Sequence, residues 1–547
     1  MIEQNITKQN ITVVLVALYR YINFPLRIMH PLLENIDGVK PYTIFFKNHD
    51  ANLFKVPSAT EEDLFVKQII DLKPNLVGIS VLSPYVPIAK KLTKLVRDNS
   101  SALVIWGGVH PTISPESCIK EADMICIGEG EGAITELVTD LRDGKDYFNT
   151  ENLWINNGSN IVKNPMRALI QDLDSLPFPS YGNDSFYFID SNRITRNDPT
   201  LLDSYVWVQS SRGCPFACSY CVNSLLRPLF KNLGHYTRRR SVNNIIREIK
   251  EKLDLFGHIK DYVFFVDEVF GNDESWLNEF ETIYKKEIGL PFFVEYNPKF
   301  INSTILEKLF NAGVETIDLG IQTGSDYIRN RIFHRAGKNN EIINLASEIS
   351  NYGIKIKYDL IIDNPYENEE SLKNTISVLL QLPKPLFFNL HALQYFPDYP
   401  FTNKAIEEGH IKIEDASVDS LMERTTKNWG FVPRLTFKKK QMLENIIWLF
   451  VSGHVKDRTV KYAVFNDSIG SKICFIYLNI KSTVLGKILG SGGIADKHIW
   501  LRYLIYGFKY ILKGDIKSLH LKIRKLVLIH KQKSLTNRSS GPCSRVH

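Results

Sequence analysis

The chain has 547 residues, 44% hydrophobic and 23% charged, with seven cysteines and a formal net charge of +7. That length suits three or four domains with real cores, and the composition excludes collagenous, low-complexity and disulfide-scaffold classes. The charge excess is local: residues 500–533 carry nine Lys or Arg against one Asp, so no nucleic-acid partner is expected of the rest. Residues 1–7 lack a basic region followed by an apolar run, and no apolar stretch is long enough to span a bilayer. With an odd cysteine count and three thiols in one loop, the expectation is a soluble protein of the reducing cytoplasm.

Up to about residue 143 short apolar runs alternate with amphipathic segments. Those at 13–18, 42–46, 76–81, 102–106 and 124–127 read as strands, and 61–71, 87–97 and 132–141 as helices. Buried strands separated by helices predict a parallel, doubly wound, Rossmann-like sheet, with its ligand beyond the carboxyl ends of the strands. Those ends carry Ser80-Val-Leu-Ser83, Gly107-Gly108-Val-His110-Pro111 and Gly128-Glu-Gly-Glu-Gly132. One glycine pair is ordinarily a tight turn. Three such loops at consecutive strand ends point to a bulky ligand approached closely by backbone.

This arrangement resembles the cobalamin-binding domain fused to many radical S-adenosylmethionine enzymes. The resemblance implies that Ser80, Leu82, Gly107, Gly108, Gly128 and Glu129 border cobalamin, with the Ser and Gly-Gly loops taking its nucleotide tail. There is one departure. The Asp-x-His-x-x-Gly motif, whose histidine ligates cobalt in many such domains, is absent, and the first loop reads Tyr19-Arg-Tyr-Ile-Asn-Phe-Pro25. Cobalt is then expected to lack a histidine ligand there, and His110 reads as a loop residue.

Residues 146–203 break the pattern, and the proline-rich 172–179 reads as an extended connector. From 205 the rhythm returns, with strands at 205–210, 262–266, 292–296, 316–322, 355–362 and 386–395. Helices fit 242–253, 275–286, 304–312, 340–352 and 369–381. Six units are too few for a closed eight-unit barrel, so a partial barrel is expected. Polar residues mark the strand ends: Asp267-Glu268, Asn297-Pro298, Gln322-Thr-Gly-Ser325 and Asp363-Asn-Pro-Tyr-Glu367. Any single one is as readily a helix cap, but a run of consecutive strand ends facing one rim points to chemistry.

The first of these strands delivers Cys214-Pro-Phe-Ala-Cys218-Ser-Tyr-Cys221. Three soft ligands on one loop can hold three irons of a [4Fe–4S] cluster and leave the fourth open, and no second cysteine pair completes a zinc site. The loop matches the radical S-adenosylmethionine signature Cys-x-x-x-Cys-x-aromatic-Cys, and the resemblance spans residues 205–395. It implies that Cys214, Cys218 and Cys221 ligate the cluster and that S-adenosylmethionine chelates the open iron. It further implies that Tyr220, Asp267, Glu268, Gln322, Ser325 and Arg329 line the S-adenosylmethionine site. Arg329 is either a bidentate partner for the cofactor carboxylate or a helix-surface arginine.

Beyond 401 the rhythm is lost, although 438–451 and 500–512 read as helices. Residues 500–533 mix Tyr503, Tyr506, Phe508 and Tyr510 with lysines, as in a basic helical cap; a membrane-surface helix or an anionic-substrate contact is the alternative. Residues 534–547 read as disordered. The expected organisation is α/β: a Rossmann-like cobalamin domain (1–145), a linker (146–203), a partial barrel (204–400), a substrate-capping helical region (401–533) and a tail (534–547).

By resemblance the chain is an enzyme that reductively cleaves S-adenosylmethionine at a [4Fe–4S] cluster and transfers a methyl group carried by cobalamin to an unactivated centre. The substrate class is a small molecule or lipid, and the electron comes from an external reductant of ferredoxin or flavodoxin type. The alternatives are cobalamin-linked oxidation or cyclisation without methylation, and a non-catalytic cobalamin or redox sensor. A methylthiotransferase is disfavoured because no second cysteine cluster is present.

Overall fold

Strands buried on both faces must be covered by helices on both, and the N-terminal runs are of this kind: Val13, Val14, Val16 and Ala17 are all fully buried. In the computed structural model, which describes residues 9–489 apart from 49–53, 203, 257–259, 272 and 429, these runs form a parallel sheet. β1 (Ile11–Leu18), β2 (Val39–Phe46), β3 (Leu76–Ser80), β4 (Leu103–Gly107) and β5 (Met124–Cys126) pair in the order β5-β4-β3-β1-β2. Helices Ala59–Leu72 and Val86–Asn99 bury Phe65, Ile69, Ala89 and Leu92 against one face. Helices Phe24–Glu34 and Glu131–Asp143 bury Leu26, Leu33, Ile134 and Leu137 against the other. The order reverses direction between β1 and β3, which places a ligand-accepting crevice above their carboxyl ends.

Two expectations need correction. Residues 24–34 are a helix, which begins inside the stretch 19–25 expected as the first loop: Pro25 sits in the first turn, where it costs no hydrogen bond, and the Asn23 side chain caps the Leu26 N–H at 3.1 Å. Residues 146–203 are also more than a linker. β6 (Leu153–Asn156) and β7 (Ile161–Lys163) extend the sheet antiparallel beyond β5. β8 (Phe186–Asp190) adds in parallel beside β2, and β9 (Arg193–Thr195) returns antiparallel, giving a nine-stranded sheet. The ring stack of Phe45 on Phe188, 4.8 Å apart, ties β8 to β2. Between β7 and β8, residues 164–185 hold a short 3₁₀ turn, Leu173–Ser175, and a turn at 184–185, and otherwise run as an extended connector.

The second sheet starts with β10 (Tyr205–Val208), and the chain then forms a small antiparallel ribbon from β11 (Ser211–Arg212) and β12 (Arg238–Arg239). β13 (Tyr262–Phe265), β14 (Phe292–Tyr296), β15 (Val314–Gln322), β16 (Lys355–Ile362) and β17 (Phe387–Ala392) follow, each preceded by a helix. All six long strands are parallel and neighbours in sequence order, so the sheet curls into the expected partial barrel. One parity of its residues, including Val208, Phe265, Val294, Leu319 and Leu360, packs outward into the helix layer. Helix Lys439–Val451 joins the same core through Leu443, Ile446, Ile447 and Leu449, and helices Asp457–Phe465 and Ile469–Leu489 follow it. The expectations for residues 500–533 and 534–547 lie outside the described residues. Among those residues no helix is long and apolar enough to cross a membrane.

Candidate active site

The cysteine loop follows the β11 strand, and local geometry dictates its start. Gly213 has φ +84°, and a Cβ there would stand 2.2 Å from the Tyr236 carbonyl oxygen, so only glycine fits. Ser210 and Ser211 donate to Asp267 Oδ2 at 2.9 Å and Oδ1 at 2.5 Å. Both carboxylate oxygens of the fully buried Asp267 are thus engaged in holding the strand that enters the loop. Further along, Ser219 donates to the Ile332 carbonyl at 2.6 Å, and its own carbonyl accepts from Phe401 N–H at 3.1 Å.

Cys214 and Cys218 are buried, Cys221 is partly so, and none forms a disulfide. Burial, and after it neighbouring charges that include the other two cysteines, pushes the Cys214 thiol up to about 12; burial raises Cys221 as well. An iron cluster removes that penalty, because coordinated thiols give up their protons. Among the described residues no three His, Cys, Asp or Glu side chains converge on a point that one metal ion could occupy. A cubane takes one thiolate per iron and needs no such point, so the loop fits the cluster. Asn223 Nδ2 lies 3.6 Å from Cys221 Sγ, and Arg335 Nη1 lies 3.7 Å from Cys218 Sγ.

A cavity of about 340 Å³ lies between this loop and the first sheet. From the sheet it is lined by Ser80, Gly107, Gly108, Gly128 and Glu129 at strand ends, over Leu15, Ile79 and Ile105; from the second half come Gly213, Val222, Asn223 and Glu268. Gly108 has φ +100°, and a Cβ on it would crowd the Val81 oxygen at 3.2 Å, so the loop lies flat against the next strand end. A glycine-rimmed, apolar-floored cavity suits a broad, rigid ligand such as a corrin. Among the described residues no histidine lines it. His110 instead turns its Nδ1 to Ser83 Oγ at 3.0 Å, and burial lowers its pKa to about 4.

Charged side chains close one side. Glu129 accepts from Arg212 at 2.9 Å and from Arg238 at 2.9 Å, and Ile170 N–H donates to it at 2.8 Å. Arg212 also reaches Glu131 at 2.6 Å. Burial would raise the Glu129 pKa, but the two guanidinium groups override it and hold the carboxyl below its ordinary range. Both arginines stand on the β11–β12 ribbon, Glu129 on the loop after β5 and Glu131 at the start of the helix that follows it, so the network clasps the two halves together beside the cavity. Nothing in the spacing of these residues along the chain hints at the pairing.

Not every residue expected at a cofactor is placed at the cavity. Leu82 is half-buried and packs against the core cluster of the first sheet. Glu268 is exposed on the cavity wall, where the surrounding protein and Asp267 push its carboxyl up. Tyr220 stacks edge-on against Phe333 at 4.7 Å, its hydroxyl beside Cys218. Gln322 ends β15 with φ +64°, at a register shift against β16, and Ser325 Oγ accepts from Ile328 N–H at 3.3 Å as a turn cap.

Arg329 requires a correction. Its guanidinium donates to the Ile321, Gly337 and Thr323 carbonyls, to Asp326 at 2.6 Å and to Asn339 at 2.8 Å. Guanidinium has five N–H donors, and all five are spent inside the fold. It therefore has no donor left for a cofactor carboxylate.

The concave face of the barrel holds a belt unforeseen from sequence. Trp207, Phe264 and Phe293 stack at its base, with centroids 4.5 and 4.0 Å apart. Above them stand Glu295, Asp318, Lys357, Asp359 and His391, with Lys357 Nζ 2.9 Å from Asp318 and His391 Nε2 3.7 Å from Asp359. Burial first, then Asp318 and Asp359, push the Glu295 carboxyl up to about 8.

Comparison with known proteins agrees with this division. The family model of the B12 binding domain matches residues 33–138, and that of the radical SAM superfamily matches residues 208–379. An uncharacterized methyltransferase of Pyrococcus horikoshii is 26% identical over 349 residues, covering 61% of this chain and 71% of its own length. An anaerobic magnesium-protoporphyrin IX monomethyl ester cyclase of Rubrivivax gelatinosus is 28% identical over 173 residues, 29% of each chain. Among solved structures, the cobalamin-dependent S-adenosylmethionine radical enzyme OxsB, with aqua-cobalamin and S-adenosylmethionine bound, shares the fold at TM-score 0.62 and 15% identity. That likeness covers 94% of this chain and 81% of OxsB. With both domain models matched on one chain, and with cysteine loop and glycine-rimmed cavity facing each other, the protein belongs to the radical S-adenosylmethionine enzymes that carry a B12-binding domain.

Proposed function

We propose that the protein is a cobalamin-dependent radical S-adenosylmethionine methyltransferase. The observation that carries this reading is the shared cavity: strand ends of the B12-binding half and flanks of the cysteine loop line one space. When bound, the cluster supplies the electron that cleaves S-adenosylmethionine and cobalamin carries the methyl group. Cys214, Cys218 and Cys221 hold the cluster in this reading, and Ser80, Gly107, Gly108 and Gly128 cradle the corrinoid. Glu268, on the wall between them, is the polar group available to the amino group of S-adenosylmethionine, with Gln322 at the end of β15, two strands along the sheet. Asp267 and Ser325 act indirectly, by fixing the loop and the turn on which these groups sit. The chain's own work is positioning and water exclusion rather than acid–base catalysis. The substrate is a small molecule or lipid presented to the concave face, and an external one-electron reductant serves the cluster.

Anaerobic reconstitution with iron, sulfide, hydroxocobalamin and S-adenosylmethionine under strong reductant tests the reading. It predicts both 5′-deoxyadenosine and S-adenosylhomocysteine; the formation of neither would contradict it. The matched stretch of a cyclase gives the second reading, radical cyclisation without methylation. Deoxyadenosine without S-adenosylhomocysteine, in the presence of a turned-over substrate, would favour that one.

A further inference from the structure

Arg335 and Arg329 stand on the same short segment, but only Arg335 turns to the cysteine loop. Its Nε and Nη2 both donate to the Gly320 carbonyl, at 3.1 and 2.7 Å, and this fork points Nη1 at Cys218 Sγ, 3.7 Å away. The seat is built for it. A Cβ on Gly320 would stand 2.7 Å from Arg335 Nη2, so a side chain there would collide with the guanidinium. The pairing of β15 with β16 shifts register between Gly320 and Gln322, next to that carbonyl. Among the described residues Arg335 has no carboxylate partner. A half-buried guanidinium with no carboxylate finds its counter-charge in thiolates.

A second donor faces another cysteine of the loop. Asn223 Nδ2 lies 3.6 Å from Cys221 Sγ, and the Tyr236 hydroxyl donates to Asn223 Oδ1 at 2.5 Å, which fixes the amide with its nitrogen toward the sulfur. Two of the three thiols thus carry an N–H, one of them cationic.

We propose that Arg335, assisted by Asn223, is a positioning residue that raises the reduction potential of the cluster by N–H···S contact with its ligands. The proposal rests on the cluster reading above. Gaining one electron adds one negative charge to the cluster and its thiolates, so a fixed cation and donors at the sulfurs stabilise the reduced form. The external reductant then delivers its electron to a cluster that holds it longer.

The test is a redox titration of the reconstituted holoprotein with dithionite and mediators, read by electron paramagnetic resonance, with iron content measured on the same samples. Arg335→Gln is expected to lower the midpoint by at least 59 mV, a tenfold loss of reduced cluster at a fixed potential. Arg335→Lys, which keeps the charge, and Asn223→Ala, which removes a neutral donor, are expected to give smaller shifts in the same direction. Wild-type midpoints in the iron-loaded variants, or a positive shift, would overturn the proposal. Should Arg335→Gln take up no iron, Arg335→Lys and Asn223→Ala decide between the same two outcomes. A wild-type protein that assembles no cluster overturns the underlying reading and the proposal with it.

Discussion

Gly213 shows how a single position can decide whether the cysteine loop forms. Its φ of +84°, and the Tyr236 carbonyl oxygen only 2.2 Å from where a Cβ would stand, exclude every side chain. Gly213→Ala is expected to cost about 1–3 kcal/mol from backbone strain alone and to depress iron uptake on reconstitution. Calorimetry and iron analysis check both; wild-type values in both would refute the geometry of the loop. Sequence spacing identified the three cysteines but not which arginine attends them. Arg329 and Arg335 are six residues apart across a single π-type turn, Ile328–Ile332, and only the carbonyls around each show that one is spent in the fold and the other faces sulfur. Glu295 was equally invisible, because a lone carboxylate in a strand carries no motif. Its folded pKa of about 8 lies above the ordinary carboxylate value, so the folded state keeps a proton that the unfolded chain has lost. Stability attributable to this group therefore falls as pH rises from about 4.5 to 8. Glu295→Gln is expected to melt increasingly above wild type across that range. Parallel melting curves from pH 5 to pH 8 would contradict the assignment.

Strands and helices with strong periodicity were the legible elements. The strands at 292–296 and 355–362 and the helix at 369–381 fall where the apolar pattern puts them. Short edge strands were not legible: β7 and β9 have three residues each, too few for any alternation, and are defined by pairing to a sheet already formed. The β11–β12 ribbon, two residues a side, is likewise made by its context. It nonetheless carries Arg212 and Arg238 to Glu129, and the clasp depends on it. Glu129→Gln leaves two largely buried guanidinium groups without their shared carboxylate. The expected cost is about 2 kcal/mol, together with faster proteolysis of the connector at 164–185. Unchanged stability and unchanged cleavage would show that the clasp holds nothing.

Over the whole molecule, two α/β units are pressed together with their strand ends toward one cavity. Each unit is recognisable from its own pattern, and the fold class follows from sequence. The facing of the two does not, because it rests on contacts between residues about 80 to 110 positions apart, such as Glu129 with Arg212 and Arg238. The C-terminal helices complete the barrel core through Leu443, Ile447 and Leu449, which a sequence with no strand–helix rhythm could not announce. Function turns on what occupies the cavity. Gly107 lines it without a strained backbone, and a Cβ there meets only Cys126 Cβ at 3.8 Å, so a larger residue fits locally while filling the space. The direct measurement is corrinoid absorbance retained after desalting from hydroxocobalamin, with wild type and Gly107→Phe compared. One equivalent retained by wild type and none by the folded variant is the predicted result. No retention by wild type, or equal retention by both, would contradict a corrinoid in the space between the cysteine loop and the first sheet.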